Sequence, residues 1–90
     1  MKIAFDPVKD AINRDKHGCS LALAAEMTWD DALIFEDIRF EYGERRFIAI
    51  GYIGRRLYVA VFTDRDGVRR IIGLRKANPR EDRTYAQAQT

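Results

Sequence analysis

The 90-residue sequence has one cysteine, Cys19, one histidine, His17, and no long apolar run. A single cysteine cannot form an internal disulfide, so nothing in the chain requires an oxidising compartment. The longest unbroken apolar stretch is the six residues Leu57 to Phe62, far short of a membrane span. The sequence also lacks the basic start followed by an apolar segment that is typical of a secretion signal. These absences predict a cytoplasmic protein, and the length of 90 residues predicts a single domain, residues 1–90.

The scarcity of histidine and cysteine also argues against a metal centre. One of each, two residues apart, cannot complete a zinc shell, and no spacing of His, Asp or Glu is typical of a catalytic metal. A glycine-rich phosphate loop and a dinucleotide fingerprint are missing as well. The sequence therefore predicts no metal ion and no cofactor.

Charge is abundant but unevenly divided along the chain. Residues 1–44 hold 5 basic and 10 acidic side chains, a net of −5, whereas residues 45–90 hold 11 basic and 4 acidic, a net of +7. Of the 16 basic side chains, 12 are arginine, whose planar fork of donors matches phosphate oxygens two at a time. The second half is therefore predicted to bind phosphate or an acidic partner, although a solvated, salt-bridged surface explains the same composition.

The N-terminal half is predicted to form a strand, two helices and a further strand. After the strand Lys2–Phe5, Asp6 caps a helix that ends at Gly18 in a left-handed conformation. Ser20 caps a second short helix, and alternation predicts a strand over residues 32–40. The first helix has apolar residues at helical spacing, which predict a buried stripe of Val8, Ala11 and Ile12.

The C-terminal half is predicted to complete the sheet and to end in a helix. Arg46–Ile53 and Arg56–Thr63 are apolar on both faces, as central strands are, and a hairpin at Gly54-Arg55 joins them. A turn leads into the strand Val68–Arg75, and Asn78 starts the last helix. The fold class is therefore α+β, a mostly antiparallel twisted sheet of about five strands with two N-terminal helices packed on one face and a short C-terminal helix.

Arginine is concentrated on the predicted strands. Alternation along Val68–Arg75 places Arg69 and Arg75 on one sheet face and Arg70 on the other. A sheet carrying arginines, with tyrosines available for stacking, suits single-stranded RNA. Because tyrosines are also common in cores and interfaces, residue type alone does not decide this point.

His17 has two interpretations on spacing alone. Lysine and histidine complement the dipole at a helix C-terminus, so Lys16, His17 and Gly18 can be only a helix stop. Histidine is also the side chain type best suited to gain and lose a proton near neutral pH. Both interpretations remain open at this point.

Five segments together resemble the BrnT family of bacterial toxins, relatives of the RelE-like ribonucleases. In the family's order they are FDPVKDAINRDKHG, CSLALAAEM, YGERRFIAIG, VFTDR and RIIGLRKANPREDRTY. The resemblance implies a RelE-like sheet and a toxin that cuts RNA and inhibits translation without a metal. It also implies neutralisation by a BrnA-like ribbon-helix-helix antitoxin, in a heterotetramer with an antitoxin dimer that binds operator DNA through the antitoxin.

The family's motifs fall on basic, acidic and hydroxyl side chains of this chain. Lys-His-Gly falls on Lys16 to Gly18, Gly-Glu-x-Arg on Gly43 to Arg46, Thr-x-Arg on Thr63 to Arg65, and Arg-Ile-Ile-Ser-Ala-Arg-Lys-Ala on Arg70 to Ala77. The last motif departs from the family at two positions, where Gly73 replaces serine and Leu74 replaces alanine.

Cleavage of this kind uses the RNA's own 2′-hydroxyl as the nucleophile, so it needs a base, donors for the phosphorane charge and an acid. With the resemblance, these needs predict catalytic roles for His17, Arg65, Arg75, Lys76 and Glu44. RNA-binding roles are predicted for Lys16, Arg46, Arg69, Arg70 and Tyr85. The alternative is a non-catalytic basic module that binds an acidic protein partner or nucleic acid, which Gly73 in the serine position favours.

Overall fold

The computed structural model describes residues 1–89, in which a five-stranded sheet carries two α-helices and two 3₁₀ helices. The elements in chain order are β1 (Lys2–Ala4), α1 (Pro7–His17), 3₁₀ helices at Leu21–Glu26 and Trp29–Asp31, β2 (Leu33–Asp37), β3 (Arg46–Ile53), β4 (Arg56–Arg65), β5 (Val68–Lys76) and α2 (Pro79–Ala88). The sheet order is β1-β5-β4-β3-β2, with β1 parallel to β5 and the other neighbours antiparallel. The predicted α+β class with a mostly antiparallel five-stranded sheet is confirmed, and β1 makes the sheet mixed.

The local capping signals form as the sequence predicts. The Asp6 carboxylate accepts a backbone hydrogen bond in the first turn of α1, and Gly18 ends the helix at φ 74°, where a Cβ would be strained. Asn78 and Glu81 exchange hydrogen bonds at the start of α2. The strand predicted over residues 32–40 ends earlier, at Asp37. The Asp37 carboxylate accepts a hydrogen bond from the backbone N–H of Arg39, and this turns the chain.

The predicted buried stripe of α1 is wrong. Val8 and Ile12 are 66% and 59% exposed, and Ala11 is exposed as well. The helix lies along the edge of β5 beyond the end of β1, where the buried Asn13 amide donates to the Leu74 carbonyl (2.8 Å) and accepts from the Leu74 N–H (3.1 Å). Asn13 thus replaces a missing neighbouring strand, so a polar residue seats the helix.

The second predicted helix is a 3₁₀ helix, and a buried acid ties it to α1. Asp10 accepts hydrogen bonds from the Leu21 N–H (2.7 Å) and the Ser20 hydroxyl (2.9 Å). The two 3₁₀ helices pack closely on β3 at Gly51, where a Cβ would come within 3.0 Å of both Ala32 and Met27. The prediction of two N-terminal helices on one face is therefore corrected to α1 at the sheet edge and 3₁₀ helices on the face.

A bulge at Ile72 changes which residues of β5 share a face. The residues on either side of Ile72 pair with consecutive residues of β4. Ile71 and Leu74 consequently belong to the same core, although strict alternation would separate them. Arg69 and Arg75 lie on opposite faces, so the prediction that they share one is wrong.

The two faces of the sheet are covered differently. The helical face, on which the 3₁₀ helices pack, holds the main core of Leu21, Ala24, Met27, Ala49, Ala60, Phe62, Ile71 and Leu74. The opposite face is covered at one end, where Tyr85 of α2 packs with Ile50, Leu57, Val59 and Ala77. The rest of this second face, here named the arginine face, carries Phe35, Arg46, Ile48, Val61, Arg70, Gly73 and Arg75.

Candidate active site on the arginine face

The floor of the arginine face is an apolar row across four strands. Phe35 pairs with Ile48, Ile48 with Val61, and Val61 with Gly73. Phe35 is 43% exposed at one end of the row. Gly73 lies at the other end of the row, where no side chain rises above the backbone. A Cβ at this position would meet only the Asn13 Oδ1, at 4.0 Å. A planar ring can lie on such a floor.

A buried acid at the end of β2 organises one rim of this floor. Asp37 is 6% exposed and accepts hydrogen bonds from the Arg39 guanidinium (2.8 and 2.9 Å) and the Tyr42 hydroxyl (3.0 Å). The Arg39 guanidinium holds the pKa of Asp37 well below its usual range, although burial opposes this. The Tyr42 ring lies 4.1 Å from the guanidinium carbon of Arg46. Asp37 therefore positions Arg46 through Tyr42.

Glu44 lies between two arginines at the same rim. Its Oε1 is 3.5 Å from the Arg46 Nε, and its Oε2 is 3.4 Å from the Arg65 Nη2. The Thr63 hydroxyl donates to the Arg45 carbonyl at 2.8 Å, which holds the loop before β3 against β4. Among the described residues, the buried Arg46 Nε has no hydrogen-bond partner. Glu44, Arg46 and Arg65 are named the Glu44 cluster.

Two arginines of β5 border the floor on its other side. The Arg70 side chain is exposed and makes no hydrogen bond or ion pair within residues 1–89. Arg75 donates to both carboxylate oxygens of Glu81, at 2.7 and 2.8 Å, and so ties α2 to the sheet. This pair raises the pKa of Arg75 and lowers that of Glu81, while the positive charge of Arg39 opposes the rise at Arg75. Arg39 and Arg75 therefore act on each other across the face.

Arg69, predicted to bind RNA, lies instead on the helical face. Its guanidinium carbon is 4.7 Å from the Trp29 ring centroid and 4.1 Å from that of Phe62. Its Nε and Nη2 donate to the Asp64 carboxylate at 2.8 and 2.9 Å, and the side chain is 14% exposed. These contacts make Arg69 part of the packing of the helical face.

Lys76 and Tyr85 also lie away from the Glu44 cluster. Lys76 is exposed on the helical side, where its charge opposes the rise that burial causes in the pKa of the Cys19 thiol. Tyr85 is 7% exposed, and its hydroxyl donates to the Asp31 carbonyl at 3.0 Å. Burial raises the pKa of Tyr85. A ring covered in this way is not open to stack on a base.

Lys16 and His17 lie at the β5 edge of the arginine face. Both are exposed at the end of α1, and they border a groove shared with Ile72 and Gly73. Neither side chain makes a hydrogen bond or an ion pair with another residue of the described range. Because Gly73 also belongs to the apolar floor, His17 stands at the rim of that floor, and its role stays a prediction.

Phe35, Asp37 and Arg39 support the site but are not among the residues that the sequence predicts for it. The signal was present in β2, where alternation puts Phe35 and Asp37 on one face. Asp37 is an acid at the buried end of the strand, and a buried acid needs a positively charged or hydrogen-bonding partner. In the structure that partner is Arg39.

Neither a metal centre nor a membrane helix is found in the described part of the chain. No three side chains of His, Cys, Asp or Glu among residues 1–89 lie together as a metal site would need. The helices in the same range are too short and too polar to cross a membrane.

The structure is an α+β domain with an open sheet face on which Arg46 and Arg65 flank the Glu44 carboxylate, and guanidiniums of this kind can donate to phosphate oxygens. The family model described as "Ribonuclease toxin, BrnT, of type II toxin-antitoxin system" matches residues 5–81. The chain therefore belongs to the BrnT family of ribonuclease toxins, which act in type II toxin–antitoxin systems.

A solved structure gives the same result. The 1.1 Å crystal structure of the Brucella abortus ribonuclease toxin, BrnT, is similar to this chain with a TM-score of 0.68 and 26% sequence identity. The match covers 87% of this chain and 97% of the Brucella chain. No curated protein matches the sequence.

Proposed function

We propose that the chain is a metal-independent endoribonuclease whose active site is the Glu44 cluster on the arginine face. The observation that carries this proposal is the Glu44 carboxylate between the guanidiniums of Arg46 and Arg65, at 3.5 and 3.4 Å. Attack of a 2′-hydroxyl on the adjacent phosphate needs a base beside fixed donors for the developing charge. The cluster offers both on one open surface.

Glu44 accepts the proton of the 2′-hydroxyl as that oxygen bonds to phosphorus. The bond to the 5′-oxygen of the next nucleotide then breaks, which leaves a 2′,3′-cyclic phosphate and a 5′-hydroxyl. Arg46 and Arg65 donate to the non-bridging oxygens, where negative charge increases in the phosphorane. Arg46 suits this role because Tyr42 fixes its plane and its guanidinium, on a side chain that is 24% exposed, donates no hydrogen bond among residues 1–89.

The leaving 5′-oxygen needs a proton, and His17 is the group we assign to supply it. Its position at the rim, beside Gly73, supports this assignment. Acid–base assistance of this type is worth about 10²–10⁴-fold in rate. Lys16, exposed beside His17, contributes positive charge for the backbone of the RNA.

The rest of the arginine face binds the RNA strand on either side of the cleaved phosphate. Phe35 is exposed and offers its ring for stacking, and Arg70 has all its donors free within residues 1–89. Arg75 and Arg39 add positive charge beside the floor. In this arrangement Arg69 and Tyr85 support the fold rather than the RNA, and Lys76 is exposed on the helical side, away from the cleaved phosphate.

A toxin of a type II system has an antitoxin partner, and we propose a BrnA-like ribbon-helix-helix protein in that role. In this assembly an antitoxin dimer holds two toxins in a heterotetramer, and operator DNA is bound through the antitoxin. RNA cleavage and neutralisation take place in the cytoplasm. The predicted relationship to RelE-like ribonucleases belongs to the same proposal.

The reaction is tested by the ends that it leaves on RNA. The purified chain is incubated with end-labelled single-stranded RNA in excess EDTA, and the fragments are analysed by mass spectrometry. The proposal predicts undiminished cleavage, with 2′,3′-cyclic phosphate and 5′-hydroxyl ends. Cleavage that stops in EDTA and returns with a divalent cation, or fragments with 5′-phosphates, would contradict it.

Gly73 favours a second candidate, a non-catalytic basic module. The family has serine at this position, and a side chain fits here, since a Cβ would meet only the Asn13 Oδ1 at 4.0 Å. Gly73→Ser therefore separates the candidates without disturbing the fold. If the natural chain binds RNA without cutting it and Gly73→Ser cuts, the module is the correct interpretation.

A further inference from the structure

The free edge of the sheet at β2 exposes an unusual amount of apolar surface. β2 is an outer strand and pairs on one side only, with β3. Ile34 and Phe35 are 40% and 43% exposed, and Ile38 and Phe40, just after the strand, are 82% and 68% exposed. These are four of the eight large apolar side chains that are exposed within residues 1–89. Such a concentration marks an interaction surface, here named the β2 edge.

The β2 edge lacks the devices that keep other edge strands from pairing. Bulges, prolines and free charges normally block an exposed edge. β2 pairs with β3 in unbroken register over Leu33–Asp37 and contains no proline. Its two acids are occupied, since Glu36 is paired with Arg45 at 3.0 Å and Asp37 is buried against Arg39. An incoming strand meets no obstacle in this strand.

The exposure pattern fits an added strand better than a docked helix. Ile34 and Phe35 are neighbours in β2, so they point to opposite faces of the sheet. A helix laid on either face would cover one of them and leave the other in water. A strand paired to the free backbone extends both faces at once and places side chains beside both residues.

The charge next to the β2 edge indicates what else the partner carries. Phe35 belongs to both surfaces, and the chain from Asp37 to Arg46 joins the β2 edge to the arginine face. The guanidiniums of Arg46 and Arg70 there donate no hydrogen bond among the described residues. A second copy of this chain, paired through β2 about a twofold axis, would bring two arginine faces side by side with like charge. An acidic partner is complementary instead.

We propose that the antitoxin of this type II system adds a β-strand to the free edge of β2 and lays acidic residues over the adjoining arginine face. The proposal uses the family's antitoxin partner and the charge of the face, and it does not require Glu44 to be the base. The added strand anchors the antitoxin, and the acidic residues exclude RNA.

Two charge-matched double variants test the proposal. Ile34→Lys/Ile38→Lys changes the β2 edge, and Val8→Lys/Ile12→Lys changes the exposed side of α1, where the side chains are 66% and 59% exposed. Each adds two positive charges, so long-range attraction to an acidic partner rises equally in both. The affinity of each toxin for the purified cognate antitoxin, a BrnA-like ribbon-helix-helix protein, is measured by surface plasmon resonance.

The β2-edge variant is expected to bind the antitoxin about 100-fold more weakly, mainly through faster dissociation. The α1 variant should stay within about threefold of the natural chain. RNA cleavage by the β2-edge variant should remain at the natural rate, but the antitoxin should no longer inhibit it at stoichiometric concentration. If both variants bind as the natural chain does, or if the α1 variant is the weaker, the proposal is overturned.

Two controls keep the result interpretable. Ile38→Lys alone changes a side chain that is 82% exposed, so it cannot act through unfolding, and it should weaken binding about tenfold. Analytical ultracentrifugation of the free toxin tests the alternative of a second copy. A toxin dimer that Ile34→Lys/Ile38→Lys dissociates while antitoxin affinity is unchanged would contradict the proposal.

Discussion

Arg69 on the helical face and Arg46 on the arginine face each lie 4.1 Å from an aromatic ring centroid. Arg69 also contacts a second ring and donates twice to Asp64, which leaves its side chain 14% exposed. Arg46 has one ring beneath it and a longer contact to Glu44, at 3.5 Å. Stacking fixes the position of both guanidiniums, but Arg69 uses its donors within the fold, whereas Arg46 donates no hydrogen bond among residues 1–89. Arg46 is therefore the one we expect to donate to phosphate.

The largest effects should come from replacing each of these two arginines, one at a time, with alanine. Arg46→Ala should lower the single-turnover rate of RNA cleavage about 100- to 1,000-fold, because a fixed donor to the phosphorane is lost. Arg69→Ala should leave the cleavage rate of the folded protein nearly unchanged and lower the free energy of unfolding by about 1–3 kcal/mol, through lost packing and cation–π contact. Cleavage rates and urea unfolding are measured for both variants. Slow cleavage by Arg69→Ala with a natural rate for Arg46→Ala would contradict the comparison.

His17 tests whether the arginine face extends to the end of α1. His17→Gln should slow RNA cleavage by about 100-fold, the lower end for acid–base assistance. The melting temperature should hardly change, since His17 is exposed and makes no hydrogen bond or ion pair within residues 1–89. If stability instead falls by about 1 kcal/mol, as for a lost interaction with the helix dipole, and cleavage survives, His17 is only a helix stop.

Asn13 tests the structural side of the comparison. Asn13→Leu removes the side chain that accepts from the Leu74 N–H at 3.1 Å and donates to the carbonyls of Leu74 and Cys19 at 2.8 and 2.9 Å. Among residues 1–89, the Leu74 carbonyl then keeps only the Cys19 thiol, at 3.4 Å, as a donor. Unfolding by urea should become easier by about 3 kcal/mol, because unpaired buried polar groups cost about 1–3 kcal/mol each. Ile12→Ser is the matched control on the same helix, and it should cost less than about 0.5 kcal/mol because Ile12 is on the surface. If both variants lose the same free energy of unfolding, Ile12 contributes to the core, as the apolar stripe predicted from the sequence would require.

The smallest effect concerns pH and the buried acid that positions Arg46. The pKa of Asp37 is lower in the folded protein than its ordinary value of 3.8, so ionised Asp37 stabilises the fold above that pH. The stabilisation is lost as the pH falls below the ordinary value towards the folded pKa. The melting temperature of Asp37→Asn should therefore lie below that of the natural chain at pH 7, and the gap should narrow towards pH 3. A constant gap would show that the charge of Asp37 does not matter.

Local signals in the sequence were sufficient wherever the structure depends on neighbouring residues. Asp6, Gly18 and Asn78 cap their helices as predicted, because a cap involves only a few consecutive residues. The stripe on α1 was predicted wrongly because the burial of Asn13 depends on a free strand edge 61 residues away. The bulge at Ile72 has no comparable sequence signal, and it altered the face of every later residue in β5.

The candidate site divides in the same way. The family motifs pointed to Glu44, Arg46 and Arg65, and in the structure each of the two arginines lies within 3.5 Å of the Glu44 carboxylate. The contacts that fix Arg46, from Asp37 through Tyr42, could not be predicted, because they depend on how the loop after β2 folds back on β3. Roles in catalysis stay predictions for all of these residues.

The most direct test of the Glu44 cluster compares two acids that each pair with an arginine, one on each face. Glu44→Gln removes the proposed base beside Arg46, and Asp64→Asn removes the partner of Arg69 on the helical face. Single-turnover cleavage of one labelled RNA is measured for both variants in EDTA, with circular dichroism to confirm folding. The account predicts that Glu44→Gln is slower by about 100-fold or more and that Asp64→Asn cleaves at the natural rate. A Glu44→Gln toxin that cleaves as fast as Asp64→Asn would contradict it.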